Sequence, residues 1–172
     1  MKAVVVYESL WGNTAAIARA IAEGIGPGAL ALSTAEAVGA AIADADLIVA
    51  GAPLLGFNLP DEKMLESIRN NPFRVPTPPN LSHPSVRTWL AELPHGHGRS
   101  AAFETRFWWS PGGATGAILR GLEEAGYIPL VKGQRFMVTG KYGPLRSGEL
   151  ERARQWGTEL ALMINQLDNA RS

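Results

Sequence analysis

At 172 residues, 46% of them hydrophobic and none of them cysteine, the chain can bury a core as one domain, residues 1–172, without disulfide staples, and it has no thiolate metal site or cysteine nucleophile. Sixteen basic residues balance sixteen acidic ones, which removes the field that gathers nucleic acid or an anionic membrane. No apolar run is long enough to span a bilayer, and the amino terminus enters a strand directly instead of a signal sequence. A soluble, cytoplasmic protein is therefore expected, with its Asn80-Leu81-Ser82 sequon left bare and with neither a membrane span nor a nucleic-acid partner.

Strand and helix patterns alternate along the chain. Lys2–Tyr7 reads as a first strand and Asn13–Gly24 as a helix stopped by the glycine-rich run Gly24–Gly28, where positive φ angles are accessible. Ala29–Leu32 is a short second strand, after which Ser33 or Thr34 caps a helix expected to reach about Ala43. Asp46–Gly51, with Leu47, Ile48 and Val49 at its centre, has the continuous apolar character of a strand buried on both faces. Six of the twelve prolines fall between Pro60 and Pro84, so that stretch is expected to be a surface loop: a lid, a docking strap or a solvated connection. Ser100–Phe103 is the fourth strand and Ala114–Ala125 a helix; Tyr127–Val131 and Arg135–Val138 form a fifth strand in two pieces. Glu149–Leu167 closes the chain as a long helix with apolar Ala153, Trp156, Leu160 and Ile164 in period. Five strands with interleaved helices imply a three-layer α/β/α architecture around a five-stranded parallel sheet.

The junction between first strand and first helix carries the most chemistry. Ser9-Leu10-Trp11-Gly12-Asn13-Thr14 places two hydroxyls and a tight glycine turn ahead of the helix, whose first amides have no intrahelical partner. A phosphate suits that position. No Lys or Arg lies between Tyr7 and Ala18, so the charge would be met by amide dipoles and hydroxyls alone. The turn lacks the G-x-x-x-x-G-K-[ST] of a triphosphate loop and the G-x-G-x-x-G of a dinucleotide loop, which leaves a single phosphate, as in a mononucleotide.

With two apolar residues, an aromatic, then S/T-x-x-G-x-T and a small residue four positions on, the stretch Val5-Val6-Tyr7, Ser9, Gly12, Thr14, Ala18 resembles the phosphate loop of the flavodoxins. That resemblance implies a sheet order of 2-1-3-4-5 and FMN as cofactor, with its phosphate on Ser9–Thr14 and its isoalloxazine ring between two further loops, Ala52–Pro60 and Glu104–Gly113. From the second loop it carries Pro53, Leu54, Leu55, Gly56 and Phe57 to the ring, with Leu55 standing where an aromatic is usual. From the third it carries Glu104, Thr105, Arg106 and Trp108, in a run where the usual glycine turn is replaced by a cation and the aromatics Phe107, Trp108 and Trp109. Some of these aromatics are expected to anchor the next helix instead of touching the ring. The segment Gly143–Arg152, and with it most of the chain after Phe103, resembles actinobacterial flavodoxin-like proteins of unassigned role.

Arg106 beside the ring predicts a less negative reduction potential than is usual for flavodoxins, because a cation favours the reduced anion. A Glu104–Arg106 pair would cancel the effect, since two charges about 4 Å apart interact by about 1 to 4 kcal/mol. Trp11 either covers the phosphate loop or, by resemblance to quinone reductases of this fold, marks an enzyme. His95 and His97 have no third ligand nearby, and no metal site is expected. No G-x-S-x-G elbow or paired catalytic acid supports hydrolysis. Three functions stay open. The preferred one is an FMN electron carrier between a flavin- or ferredoxin-type reductase and an acceptor enzyme, expected as a monomer and without catalytic residues of its own. The others are an FMN-dependent NAD(P)H:quinone-type oxidoreductase and a flavodoxin-like interaction module that has lost FMN.

Overall fold

Strand β1, Ala3–Tyr7, carries an unbroken apolar run, and the computed structural model, which describes residues 1–71 and 77–170, places it inside a parallel sheet covered on both faces. After β1 come α1 (Asn13–Ile25), β2 (Leu30–Ser33), β3 (Leu47–Pro53), α2 (Glu62–Asn70), α3 (Val86–Ala91) and β4 (Arg99–Arg106). The chain continues through α4 (Thr115–Glu124), β5 (Ile128–Pro129), β6 (Gln134–Met137) and α5 (Glu149–Asn169). The sheet order is β2-β1-β3-β4-β5, as expected. The fifth position is laid in two pieces along β4, with β5 beside Arg99 and Ser100 and β6 beside Phe103 to Arg106. Tyr7 is level with Gly51 and Gly51 with Phe103. The turns after β1, β3 and β4 therefore leave from one edge, where the winding of the chain reverses.

Alternation along each buried strand divides the core in two. Val4, Val6, Ile48, Ala50 and Ala102 pack against α3 and α4. Ala3, Val5, Val49, Ala101 and Phe103 pack against α1 and α5. The expected helix from Ser33 or Thr34 to Ala43 does not form. Glu36 turns back to accept from the Ser33 amide and hydroxyl, Gly39 takes a left-handed φ of 52°, and only a 3-10 turn at Gly39–Ala41 remains. The space beside β2 is filled from the other side by Trp89 of α3, whose indole donates to the Ala37 carbonyl.

Two further boundaries differ from expectation. The stretch from Pro60 holds α2, which starts at Asp61, whose carboxylate accepts from the Met64 amide; α3 starts in the same way at Ser85, which accepts from Thr88. Both are side-chain caps that satisfy first-turn donors. Strand β4 runs on to Arg106 because Glu104, Thr105 and Arg106 are polar yet buried, each with a partner described below. Residues 72–76 of the proline-rich run lie outside the described residues. No helix among the described residues is long and apolar enough to cross a membrane.

Glu8 ties the end of β1 to α3. It is 1% exposed, one carboxylate oxygen accepts from the Val86 amide at 2.9 Å, and the other has no partner among the described residues. Burial pushes its pKa up to about 7 against the stabilising Val86 bond, with Glu62 raising it further and Arg87 lowering it. On the α1/α5 side the two helices approach until glycine is required: a Cβ on Gly157 would run into the Ile21 carbonyl, and one on Gly24 into the Arg154 carbonyl.

Two outcomes follow from these contacts. Gly157→Ala gains about 1 kcal/mol of helix propensity but forces two backbones apart, and overpacking of about 1–3 kcal/mol decides the sign. The variant should unfold at lower urea than the parent; an unchanged or higher midpoint contradicts the close packing. Folded Glu8 keeps its proton up to about pH 7, whereas the unfolded chain loses it near 4.5. The folded state therefore binds more protons across that window, and stability falls by about 2–3 kcal/mol as pH rises through it. Urea titrations at pH 5 and pH 8 should show that loss in the parent and not in Glu8→Gln; the same loss in both would assign it elsewhere.

Candidate functional site

The turn from β1 into α1 is held by its own residues. Gly12 sits at φ 89°, a left-handed angle that costs glycine little, and its amide donates to the Ser9 hydroxyl at 3.1 Å. No side chain caps α1 and no acid lies in its first turn. The first helical bond is the Ala16 amide to the Gly12 carbonyl, so the leading amides of α1 point out of the helix with the positive end of its dipole. Thr14 is buried and its hydroxyl lies 2.9 Å from that of Thr105 on β4. If Thr105 donates, the Thr14 hydrogen is left for an acceptor in front of the helix.

The outward side of the same turn is fully engaged. The Leu10 carbonyl accepts from the Asn80 amide, the Ser9 carbonyl lies 3.1 Å from His83 Nε2, and the Trp11 indole donates to the Thr77 carbonyl. The described part of the proline-rich stretch is thus a strap across the back of the β1–α1 turn, and Trp11 is one of its anchors. Between strap and loop runs an outer cleft of about 660 Å³, where Ser9 and Gly12 are found together with Arg19 and Glu36. Hydrogen bonds from the Ser33 amide and hydroxyl hold the Glu36 carboxyl below its ordinary pKa.

On the inner side a crevice of about 50 Å³ opens at the sheet edge, and Leu10, Trp11, Asn13, Thr14, Pro53, Leu54, Leu55, Thr105 and Arg106 of the expected residues all line it. Ser9, Gly12, Gly56, Phe57, Glu104 and Trp108 do not. Gly56 and Phe57 are the central residues of a tight turn closed by reciprocal bonds between Leu55 and Asn58, both at positive φ, the geometry of a type I′ hairpin. Phe57 is thereby directed outward and half exposed. Its carbonyl accepts from Gly113, and the Leu54 amide donates to the Thr105 carbonyl, so the second and third loops are joined to each other.

Glu104 and Arg106 belong to a strand and not to a ring loop. Glu104 is 0% exposed; one oxygen accepts from the Ala114 and Thr115 amides at 2.6 and 3.1 Å, capping α4 from a distance. The other pairs with Arg106 at 2.8 Å, and Arg106 also donates to the Gly112 and Phe107 carbonyls. The cation expected beside a ring is therefore paired where it stands, the arrangement that would offset the expected shift in potential, and a second guanidinium, Arg135, stands 3.7 Å from the same Glu104 oxygen. Trp108 and Trp109, 76% and 60% exposed, lie outside the crevice along an adjoining groove with Met137 and Arg146; Trp109 stacks on Phe107 at 5.4 Å.

Three crevice residues were not among the expected site residues: Phe107, Val138 and Lys141. The last two come from the loop after β6. No cation was expected from the turn's own stretch of sequence; the fold brings Lys141, from far along the chain, to the crevice that Asn13 and Thr14 line. Its only local signal is a lysine in the glycine-flanked turn Gly140-Lys141-Tyr142-Gly143.

No protein-family model matches the chain, and no curated protein does. Solved structures do. A flavodoxin from the domain Archaea is 22% identical, with 96% of this chain and 99% of that one covered at a TM-score of 0.65. Flavodoxin 1 from Bacillus cereus is 20% identical over 94% and 98% of the two chains, with a TM-score of 0.64. The Flv1 flavodiiron core from Synechocystis sp. PCC6803 is 20% identical over 97% of this chain but 36% of that one, with a TM-score of 0.59. These likenesses agree with the strand order, and at such identity they establish architecture alone: the chain has a flavodoxin-like fold.

Proposed function

We propose that the protein binds FMN by its phosphate and serves as an electron carrier between a reductase and an acceptor enzyme. The observation that carries this reading is the start of α1, which no side chain caps and whose first two residues, Asn13 and Thr14, line the crevice. One phosphate fits there, held by amides and a hydroxyl. Bound flavin supplies reversible one- and two-electron chemistry. The chain's part is to orient and shield it: Leu54, Leu55 and Phe107 offer apolar walls for the ring, and no carboxylate lines the crevice.

The ring end fits less well than the phosphate end. A crevice of about 50 Å³ is far below the roughly 300 Å³ at which small-molecule sites begin. A ring enters only if the Leu55–Asn58 turn and Phe107 part. That narrowness favours a second reading, an interaction module with the fold but without flavin.

The two readings separate on FMN affinity, measured by quenching of flavin fluorescence and by thermal shift. The carrier takes up FMN and is stabilised by it, and it needs a separate reductase to become reduced by NAD(P)H. Thr14→Ala should weaken FMN binding about tenfold to a hundredfold, the worth of about 1.5–3 kcal/mol in one hydrogen bond to a charged group. Unchanged affinity in that variant contradicts the phosphate assignment, and a colourless protein that FMN does not stabilise favours the flavin-free module.

A further inference from the structure

The loop between β6 and α5 is folded onto the phosphate turn. Val138 pairs with Leu145, the Thr139 amide donates to the Pro144 carbonyl and the Gly143 amide to the Gly140 carbonyl, which puts Lys141 and Tyr142 at the tip. That tip is pinned to the first residues of α1. The Asn13 side-chain amide donates to the Tyr142 carbonyl at 3.1 Å, and the Tyr142 ring meets Trp11 edge-on at 4.9 Å. Gly143 lies so close to Asn13 that a Cβ would stand 2.6 Å from its Oδ1. Lys141 lines the crevice with Asn13 and Thr14, and its ammonium is 5.6 Å from the Tyr142 ring centre. No carboxylate pairs with it among the described residues.

We propose that Lys141 is the countercharge of the anion seated at the start of α1, and so the residue that sets preference for a phosphorylated over an unphosphorylated flavin. The naming of the ligand as a flavin rests on the function proposed above; the countercharge itself rests on the pinned tip. Amide dipoles spread their charge over the turn and disperse a phosphate monoanion well, but a dianion gains from a full cation at one side. A lysine supplies that as a point charge without a fixed fork, consistent with its exposed, flexible stem.

The test measures dissociation constants for FMN and for riboflavin in the parent, Lys141→Gln and Lys141→Arg. Lys141→Gln should weaken FMN about tenfold, leave riboflavin unchanged and flatten the salt dependence of FMN binding, while Lys141→Arg keeps most of the FMN affinity. Equal weakening of both flavins, or no weakening of FMN, overturns the proposal. If the parent binds neither flavin, the flavin reading fails and the countercharge is tested alone with inorganic phosphate against sodium chloride of matched ionic strength. The melting temperature of the parent and of Lys141→Arg should then rise more with phosphate than that of Lys141→Gln. Equal responses of all three overturn the countercharge.

Discussion

The turn from β1 into α1 is the anchor on which the whole carboxyl edge of the sheet depends. Two of its carbonyls and its indole are engaged by the strap: the Leu10 carbonyl by Asn80, the Ser9 carbonyl by His83, and the Trp11 indole by the Thr77 carbonyl. Its side chains reach in two other directions, Thr14 to β4 and Asn13 to the loop after β6. The first amides of α1 are left without a capping side chain. That follows from backbone geometry: a left-handed residue at Gly12 is what lets the chain enter α1 with no side chain over its first amides.

The second organising element is a buried charge pair, Glu104 with Arg106. Glu104 reaches the uncapped start of α4 and, with its other oxygen, Arg106. Removing one partner of such a pair leaves a buried charge without compensation, at a cost of about 3–5 kcal/mol. The pair therefore reads as architecture that holds β4, α4 and the Gly112 turn together. Of the two cations that line the crevice, Arg106 is thus tied into this pair, while Lys141 comes from the loop after β6.

Much of this was legible in the chain itself. β1 and β3 are buried on both faces, and such strands read as continuous apolar runs; the divided fifth strand is punctuated by Lys132-Gly133 between two apolar pieces; α5 shows its period over five turns. The tight turn into α1 was legible because it is local: Gly12 takes its left-handed angle between Ser9 and the first residues of the helix. The failures share a cause. Glu104, Thr105 and Arg106 are polar residues inside a strand, and their partners at 112 to 115 and on α1 lie far from any local pattern. Helix α2 was hidden behind Pro60 and the prolines that follow, although Asp61 ahead of Glu62-Lys63-Met64-Leu65 is a usable cap. The helix expected after β2 was lost to Gly39 and to a tertiary competitor, Trp89, that no window around it contains. Lys141 meets Asn13 only through the fold.

The central claim is that the open amides of α1 are the seat of an anion. Amide-resolved nitrogen–proton NMR during a titration with FMN addresses it directly. The resonances of Asn13 and Thr14, which line the crevice, should move furthest and saturate together, with Lys141 and Tyr142 following at the same ligand concentration. Shifts confined to the outer cleft around Arg19 and Glu36, or to the exposed Trp108–Trp109 edge, with the α1 amides unmoved, would contradict it.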